Sequence, residues 1–170
     1  EQKFMIFVGD KGRNGKGIIC HTLREILGVY ADEARSEMFM KGRQKDSGSA
    51  TPELMALQGK RIVIGSENDR GDALNASFIK RVTGGDHISG RMLYGNEQSF
   101  KPTFVPILLT NYFPHIDTED QALLTRCLCL SFQRTFVEEP DPENPFQGKI
   151  DTQLESKLRA EYPAILEWIV

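Results

Sequence analysis

The stretch Phe4–Leu23, FMIFVGDKGRNGKGIICHTL, decides how the rest of the chain is read. Phe4 to Val8 is an apolar run of the kind that forms a buried strand, and Gly9 ends it. Gly9, Gly12, Gly15 and Gly17 then fall within nine residues, with Lys16 between the last two. Ile18, Ile19, Thr22, Leu23 and Ile26 recur at helical spacing, so a helix opens near Gly15 or Lys16 and runs to about Leu27. Strand, glycine-rich loop with a Gly-Lys, then helix is the arrangement that cradles a polyphosphate. Glycines let backbone N–H groups turn inward, the helix N-terminus adds partial positive charge, and the lysine reaches the β and γ phosphates.

Two positions depart from the pattern G-x-x-x-x-G-K-[ST]. Asp10 stands where the first glycine belongs, with Gly9 one residue early, and Gly17 stands where a hydroxyl would hold Mg²⁺. A strand-to-helix turn that needs glycine for backbone reasons alone would look the same over this stretch.

A chain of 170 residues buries one sizeable core, and its 39% hydrophobic and 26% charged residues are ordinary for a water-soluble globular domain. The net charge of −3 does not announce a nucleic-acid binder, although a local basic patch would suffice for one. Cys20, Cys127 and Cys129 have no metal-ligand spacing and read as structural thiols in a reducing compartment, the last two on one face of a buried strand. No apolar run approaches the ~18 residues that span a bilayer, and no signal peptide is visible. The chain opens almost inside a strand and stops within a helical pattern, as an excised domain of a longer protein would.

Further along, Gly28–Met40 is expected to supply a shorter second strand, and Lys41–Thr51 is polar and glycine/serine-rich, a loop. Thr51-Pro52-Glu53 starts a short helix that stops at Gly59. Arg61–Gly65 is a β-branched run that delivers Ser66 and Glu67 at its carboxyl end, where open α/β sheets bind ligands. A carboxylate there can polarise an attacking water and help hold Mg²⁺; it can equally leave a strand into solvent. Asp72–Val82 is a helix, and His87–Leu93 with Ser99–Phe104 is a hairpin turning at Tyr94-Gly95-Asn96. Lys80, Arg81, Arg91, Tyr94 and Lys101 collect on or beside it, as suits a surface that tracks phosphates and stacks a base, or simply a solvated hairpin. Val105–Thr110 is another buried strand, ending on Asn111, whose amide can hold a water or touch a γ-phosphate. A short acidic helix, Asp117–Thr125, leads to Arg126 and a fifth strand at Cys127–Phe132. Thr135–Lys149, with three prolines, reads as an irregular acidic linker, and Ile150–Val170 as two short helices split by Pro163.

Taken in order, GRNGKG at 12–17, GKRIVIGSEN at 59–68, FIKRVTGGDHISGRMLY at 78–94, FKPTFVPILLTNYFPHI at 100–116 and RCLCLSF at 126–132 resemble a superfamily 3 helicase domain of the phage, plasmid and poxvirus primase-helicase branch. The resemblance implies an α/β fold of the P-loop NTPase, AAA+-like kind. Its three layers would hold a central, mainly parallel five-stranded sheet, an inserted β-hairpin and a C-terminal helical segment. The core would span 1–135, a linker 136–149, and the helical segment would begin at 150–170. It implies ATP and Mg²⁺, a hexameric ring, a single DNA strand in its channel, and a possible primase or polymerase domain in the same longer chain. No membrane is implied, and the compartment is the cytoplasm of a bacterial or virus-infected cell. Gly12, Arg13, Asn14, Gly15, Lys16, Gly17 and Ile18 match the phosphate loop, and Glu67 the acidic residue that serves water and metal. Asn111 matches the sensor asparagine, and Arg126 the arginine that reaches a neighbouring subunit's nucleotide. Lys80, Arg91, Tyr94 and Lys101 fall in the part that meets DNA. Ser66 stands where many ATPases carry aspartate, and Thr125 where related sequences often have a second arginine. A small-molecule kinase on the same scaffold and a non-catalytic nucleotide-binding module are the alternatives.

Overall fold

The computed structural model describes residues 2–42, 50–66 and 68–169. Five strands form one sheet in the order β2-β3-β6-β1-β7, where β1 is Phe4–Val8, β2 Ala31–Arg35, β3 Ile62–Ser66, β6 Val105–Thr110 and β7 Cys127–Ser131. Every neighbouring pair is parallel. The central strands are buried on both faces, which is why they read as continuous apolar runs.

Alternation along the pleat assigns the two faces. Phe7, Ile62, Ile64 and Ile107 point to the side covered by α1 (Lys16–Leu27), meeting Cys20, Leu23 and Leu27. Phe4, Ile6, Val63 and Leu108 point the other way, into a larger core. That core takes Phe78, Ile79 and Val82 from α3 (Ala76–Gly84), Leu57 beyond α2 (Pro52–Met55), and Leu123 from α4 (Gln121–Leu124). Each such fully buried side chain stabilises the fold by about 1.5–3 kcal/mol. Gly65 belongs to this packing: a Cβ there would stand 2.8 Å from the Phe39 ring.

The second strand does lie within Gly28–Met40, but its apolar residues are not in it. Val29 and Tyr30 sit exposed in one 3₁₀ turn, and Phe39 and Met40 are buried at the end of another, while β2 itself is an edge strand of sequence ADEAR. The helix expected at Asp72 begins only at Ala76. Asn75 caps it by accepting from the Phe78 N–H at 3.1 Å, and Ala73 and Leu74 pair instead with the chain at His115 and Met40. Most of the loop expected at Lys41–Thr51 lies outside the described residues.

The hairpin is β4 (Ile88–Arg91) against β5 (Glu97–Phe100), with Ile88 opposite Phe100 and Arg91 opposite Glu97. Thr51 anchors it, donating its N–H to the Arg91 carbonyl and accepting the Arg91 N–H on its hydroxyl. β7 lies at the sheet's edge with Leu128, Cys129 and Leu130 exposed, so the expectation of a buried thiol holds for Cys20 and fails for Cys129. The stretch read as an irregular linker is ordered at both ends, where β8 (Thr135–Val137) and β9 (Gln147–Lys149) pair in parallel. Beyond it, α5 (Leu154–Ala160) and α6 (Tyr162–Ile169) lie along α1, with Glu155 facing His21 at 3.3 Å and Arg159 facing Glu25 at 3.4 Å. Pro163 sits in the first turn of α6, where a missing N–H is tolerated, so the break falls at Glu161. Among the described residues no helix is long and apolar enough to cross a membrane.

Candidate functional site

The registers bring the carboxyl ends of the central strands to one rim of the sheet: Val8 opposite Thr110 and Ser131, and Ser66 opposite Leu109. Chain order reverses there, with β1 lying between β6 and β7, and such a switch point is where open α/β sheets bind ligands. The glycine-rich loop leaves β1 at this rim. Gly9 closes the strand by donating its N–H to Thr110. The loop then passes through two left-handed residues, Arg13 at φ 56° and Gly15 at φ 89°, and Gly15 caps α1 without a side-chain bond. At Arg13 that conformation costs ~1–2 kcal/mol, so the surroundings must impose it.

Asn14 and Lys16 are both more than nine-tenths buried. The Asn14 amide donates to the Lys11 carbonyl at 2.6 Å, and its oxygen faces the Lys16 N–H at 3.4 Å. The Lys16 ammonium turns back into the rim, donating to the Gly9 carbonyl at 2.7 Å and to Asn111 Oδ1 at 3.2 Å. Burial lowers its pKa, and the Asp10 charge works against that shift. Lys16 and Asn111, which are 95 residues apart, therefore meet as expected. Ser66, Gly12, Asn14, Gly17 and Thr110 join them around a cavity of about 260 Å³. Glu67, expected in the same place, lies outside the described residues, although Ser66 brings the chain to the rim immediately before it.

Two contributors escape a motif-based reading. Thr110 accepts the Tyr112 N–H at 3.0 Å and donates its hydroxyl to the Tyr112 carbonyl at 2.6 Å, a clamp around Asn111 that fixes the turn presenting its amide. Gly9 carries the site's tightest steric demand. A Cβ there would meet Asn14 Nδ2 at 2.3 Å, the Phe132 carbonyl at 2.7 Å and Lys16 Nζ at 3.1 Å. The glycine one residue early is thus the one the loop closes over. A buried cation beside backbone amides that face no intrahelical acceptor fits a triphosphate. For Mg²⁺, the described rim offers the Ser66 hydroxyl and the Asn111 amide, with no cluster of three acidic, histidine or cysteine side chains. Such a rim suits an ion held mainly through water and phosphate.

Arg126 lies at the opposite rim. It precedes Cys127, which pairs with Phe4 at the start of β1, and the five residues of β1 put about 16 Å between the two rims. Its guanidinium donates to the Ala122 carbonyl at 2.6 Å and to Gln2 at 3.3 Å, and Nε is buried without a partner. It cannot serve the Lys16 site of its own chain. The four residues expected to meet DNA are also not together. Arg91 stands next to the hairpin's turn, where Tyr94 is fully exposed at φ 60° beside exposed Met92 and Leu93. Lys101 is at the hairpin's base against Gly85. Lys80 is drawn into Asp120 at 2.8 Å, and that bond is the main cause of the lowered Asp120 pKa.

No family model matches the chain. It is 32% identical over 168 residues to a protein of Acanthamoeba polyphaga mimivirus named "Putative helicase L207/L206", across 93% of this chain and 17% of that protein. It is 31% identical over 164 residues to "Putative helicase 022R" of Frog virus 3, across 92% of this chain and 17% of that protein. Over 151 residues it is 24% identical to "Putative primase C962R" of African swine fever virus, across 89% of this chain and 16% of that protein. These relatives bear out the resemblance to the primase-helicase branch of superfamily 3. The chain spans about one sixth of their length. Two structures of the C-terminal region of NrS-1 share its fold. One has TM-score 0.63 at 17% identity, covering 95% of this chain and 34% of that one; the other has 0.65 at 16%, covering 96% and 36%.

Proposed function

We propose that this chain is the ATP-hydrolysing motor of a DNA helicase that works in viral genome replication as a hexameric ring. The observation that carries the reading is the meeting of Lys16 and Asn111 over one cavity at the switch-point rim. Lys16 is held there by two uncharged oxygens, so its charge is incompletely answered and is drawn to an anionic β or γ phosphate. That move frees the Asn111 amide to touch the γ-phosphate or hold the attacking water. Glu67 aligns this water for in-line attack. Arg126 of an adjacent copy stabilises charge on the transferring group, an effect worth ~10³-fold or more. Mg²⁺, when bound, neutralises charge on the phosphates. The hairpin bearing Arg91 and Tyr94 contacts the DNA strand, which suits a basic and aromatic pairing.

Gly17 and Ser66 at positions that usually serve the metal favour one second reading, a nucleotide-binding module without turnover. A mixing experiment separates the two. Hydrolysis stimulated by single-stranded DNA is expected in the assembled protein and is lost in Lys16→Ala and in Arg126→Ala. It returns in part when the two variants are mixed, since at half of the mixed interfaces the Arg126→Ala copy holds the nucleotide with an intact Lys16 and the Lys16→Ala copy supplies an intact Arg126. Normal turnover in Lys16→Ala would sink this site. Tight binding with no turnover in the assembled wild type would favour the module.

A further inference from the structure

We infer that Phe136 is a positioning residue for the phosphate loop and that the β8–β9 ribbon braces this loop from outside. The inference rests on reading the loop as a nucleotide site. Successive N–H groups along a strand point to opposite sides. On β8 one side faces β9: Thr135 donates to the Phe146 carbonyl at 2.8 Å, and the Val137 carbonyl accepts from Ile150 at 2.9 Å. The Phe136 N–H, pointing the other way, donates to the Arg13 carbonyl at 2.8 Å. Arg13 is the left-handed non-glycine residue of the loop, so this bond holds the residue that most needs holding. The Phe136 ring reaches the second left-handed residue: a Cβ on Gly15 would lie 3.9 Å from Cε2.

The ring is backed on its far side. Gly148, opposite Phe136 in the ribbon, is buried, and a Cβ there would stand 3.1 Å from Cδ1 and Cε1. The Phe136 ring is thus seated between Gly148 and Gly15, and its backbone is tied to Arg13. Between those two points, Asn14 grips Lys11 and faces Lys16 from within. A loop fixed from both sides is already shaped for its ligand, and such preorganisation appears as affinity.

Binding of a fluorescent ATP analogue with Mg²⁺ tests this in the whole chain, alongside denaturation midpoints. Phe136→Ala should weaken binding about tenfold, Phe136→Leu should recover it to within about threefold, and Gly148→Ala should weaken it by displacing the ring. A readout that mere destabilisation would not move comes from tryptophan fluorescence. Trp168, the only tryptophan, is replaced by phenylalanine, and Phe136→Trp is added. Its emission should change with the same midpoint as nucleotide binding. If the wild type binds and Lys16→Ala does not, while Phe136→Ala binds within twofold and the tryptophan signal stays flat, the brace is wrong and the site stands. If Lys16→Ala binds as well as the wild type, or the wild type does not bind, the nucleotide reading falls and the brace falls with it.

Discussion

Adding one methyl group at Gly9 should cost more than any other glycine-to-alanine change in the loop. The new Cβ would lie 2.7 Å from the Phe132 carbonyl, which is backbone and is fixed by the Phe132 N–H bond to Val8 at 2.7 Å. Its other near neighbour, Asn14 Nδ2 at 2.3 Å, is a short buried side chain that bonds the Lys11 carbonyl. Overpacking of this kind costs about 1–3 kcal/mol, and expelling the Asn14 amide adds about 1 kcal/mol, so Gly9→Ala should lose about 2–4 kcal/mol. Gly17 is the internal control: nothing lies within 4 Å of a Cβ there and the residue is already helical. Gly17→Ala should therefore gain about 0.4–1 kcal/mol. Guanidinium unfolding at constant slope measures both, and binding of an ATP analogue should fall in Gly9→Ala because the displaced amide also faces Lys16. A Gly9→Ala midpoint within about 0.5 kcal/mol of wild type, the usual spread for innocuous changes, would refute the geometry assigned to the loop.

Burial holds the Lys16 pKa below 10.5, so between that lowered value and 10.5 the unfolded chain binds a proton the folded chain does not, and stability rises with pH. The stability of the wild type relative to Lys16→Met should therefore improve as pH climbs from neutral toward 10.5 in the absence of nucleotide, and an unchanging difference in unfolding midpoints would contradict it. Lys80→Ala should destabilise the α3–α4 contact, since it frees the Asp120 carboxylate, yet leave the salt dependence of single-stranded DNA binding unchanged. Arg91→Ala should lower the salt slope by about 1, and Tyr94→Ala should cost about 1–3 kcal/mol of DNA affinity with no change in slope. Equal slopes for wild type and Arg91→Ala would remove the hairpin turn from the DNA surface. Gly65→Ala should lose about 1–3 kcal/mol through the Phe39 ring, with nucleotide affinity unaffected once the protein is folded.

The parts legible in the sequence were those where one residue type answers one physical demand. β1, β3 and β6 are doubly buried and must be apolar throughout, so their ends, and hence Lys16 and Asn111, could be placed. β2 is blurred because an edge strand needs no such run, and its apolar neighbours sit in two turns, Val29 and Tyr30 exposed and Phe39 and Met40 in the core. The β8–β9 ribbon is hidden because three-residue strands carry no period, and the stretch between them is rich in proline and acidic residues. Its bond to Arg13 is made by the backbone, which leaves no trace in residue identity. Lys80 and Lys101 looked like partners of Arg91 because they are near in sequence. A helix face turns one into Asp120, and hairpin register sends the other to the base.

The two rims of the sheet bear on the proposed hydrolysis. Among the described residues, those lining the proposed triphosphate site lie where β1, β3 and β6 end, and Arg126 lies where β1 and β7 begin. A parallel sheet keeps those rims a strand-length apart whatever the loops do, because sliding β7 by one residue would turn every one of its side chains to the wrong face. No loop rearrangement within one copy can bring Arg126 to its own Lys16. If Arg126 acts in hydrolysis, it acts on another copy, and then the rate per subunit must rise with protein concentration while nucleotide affinity need not. Hydrolysis whose specific rate is independent of concentration, from a species shown to be monomeric, would remove Arg126 from the chemistry and leave its bonds to Ala122 and Gln2 as its whole role.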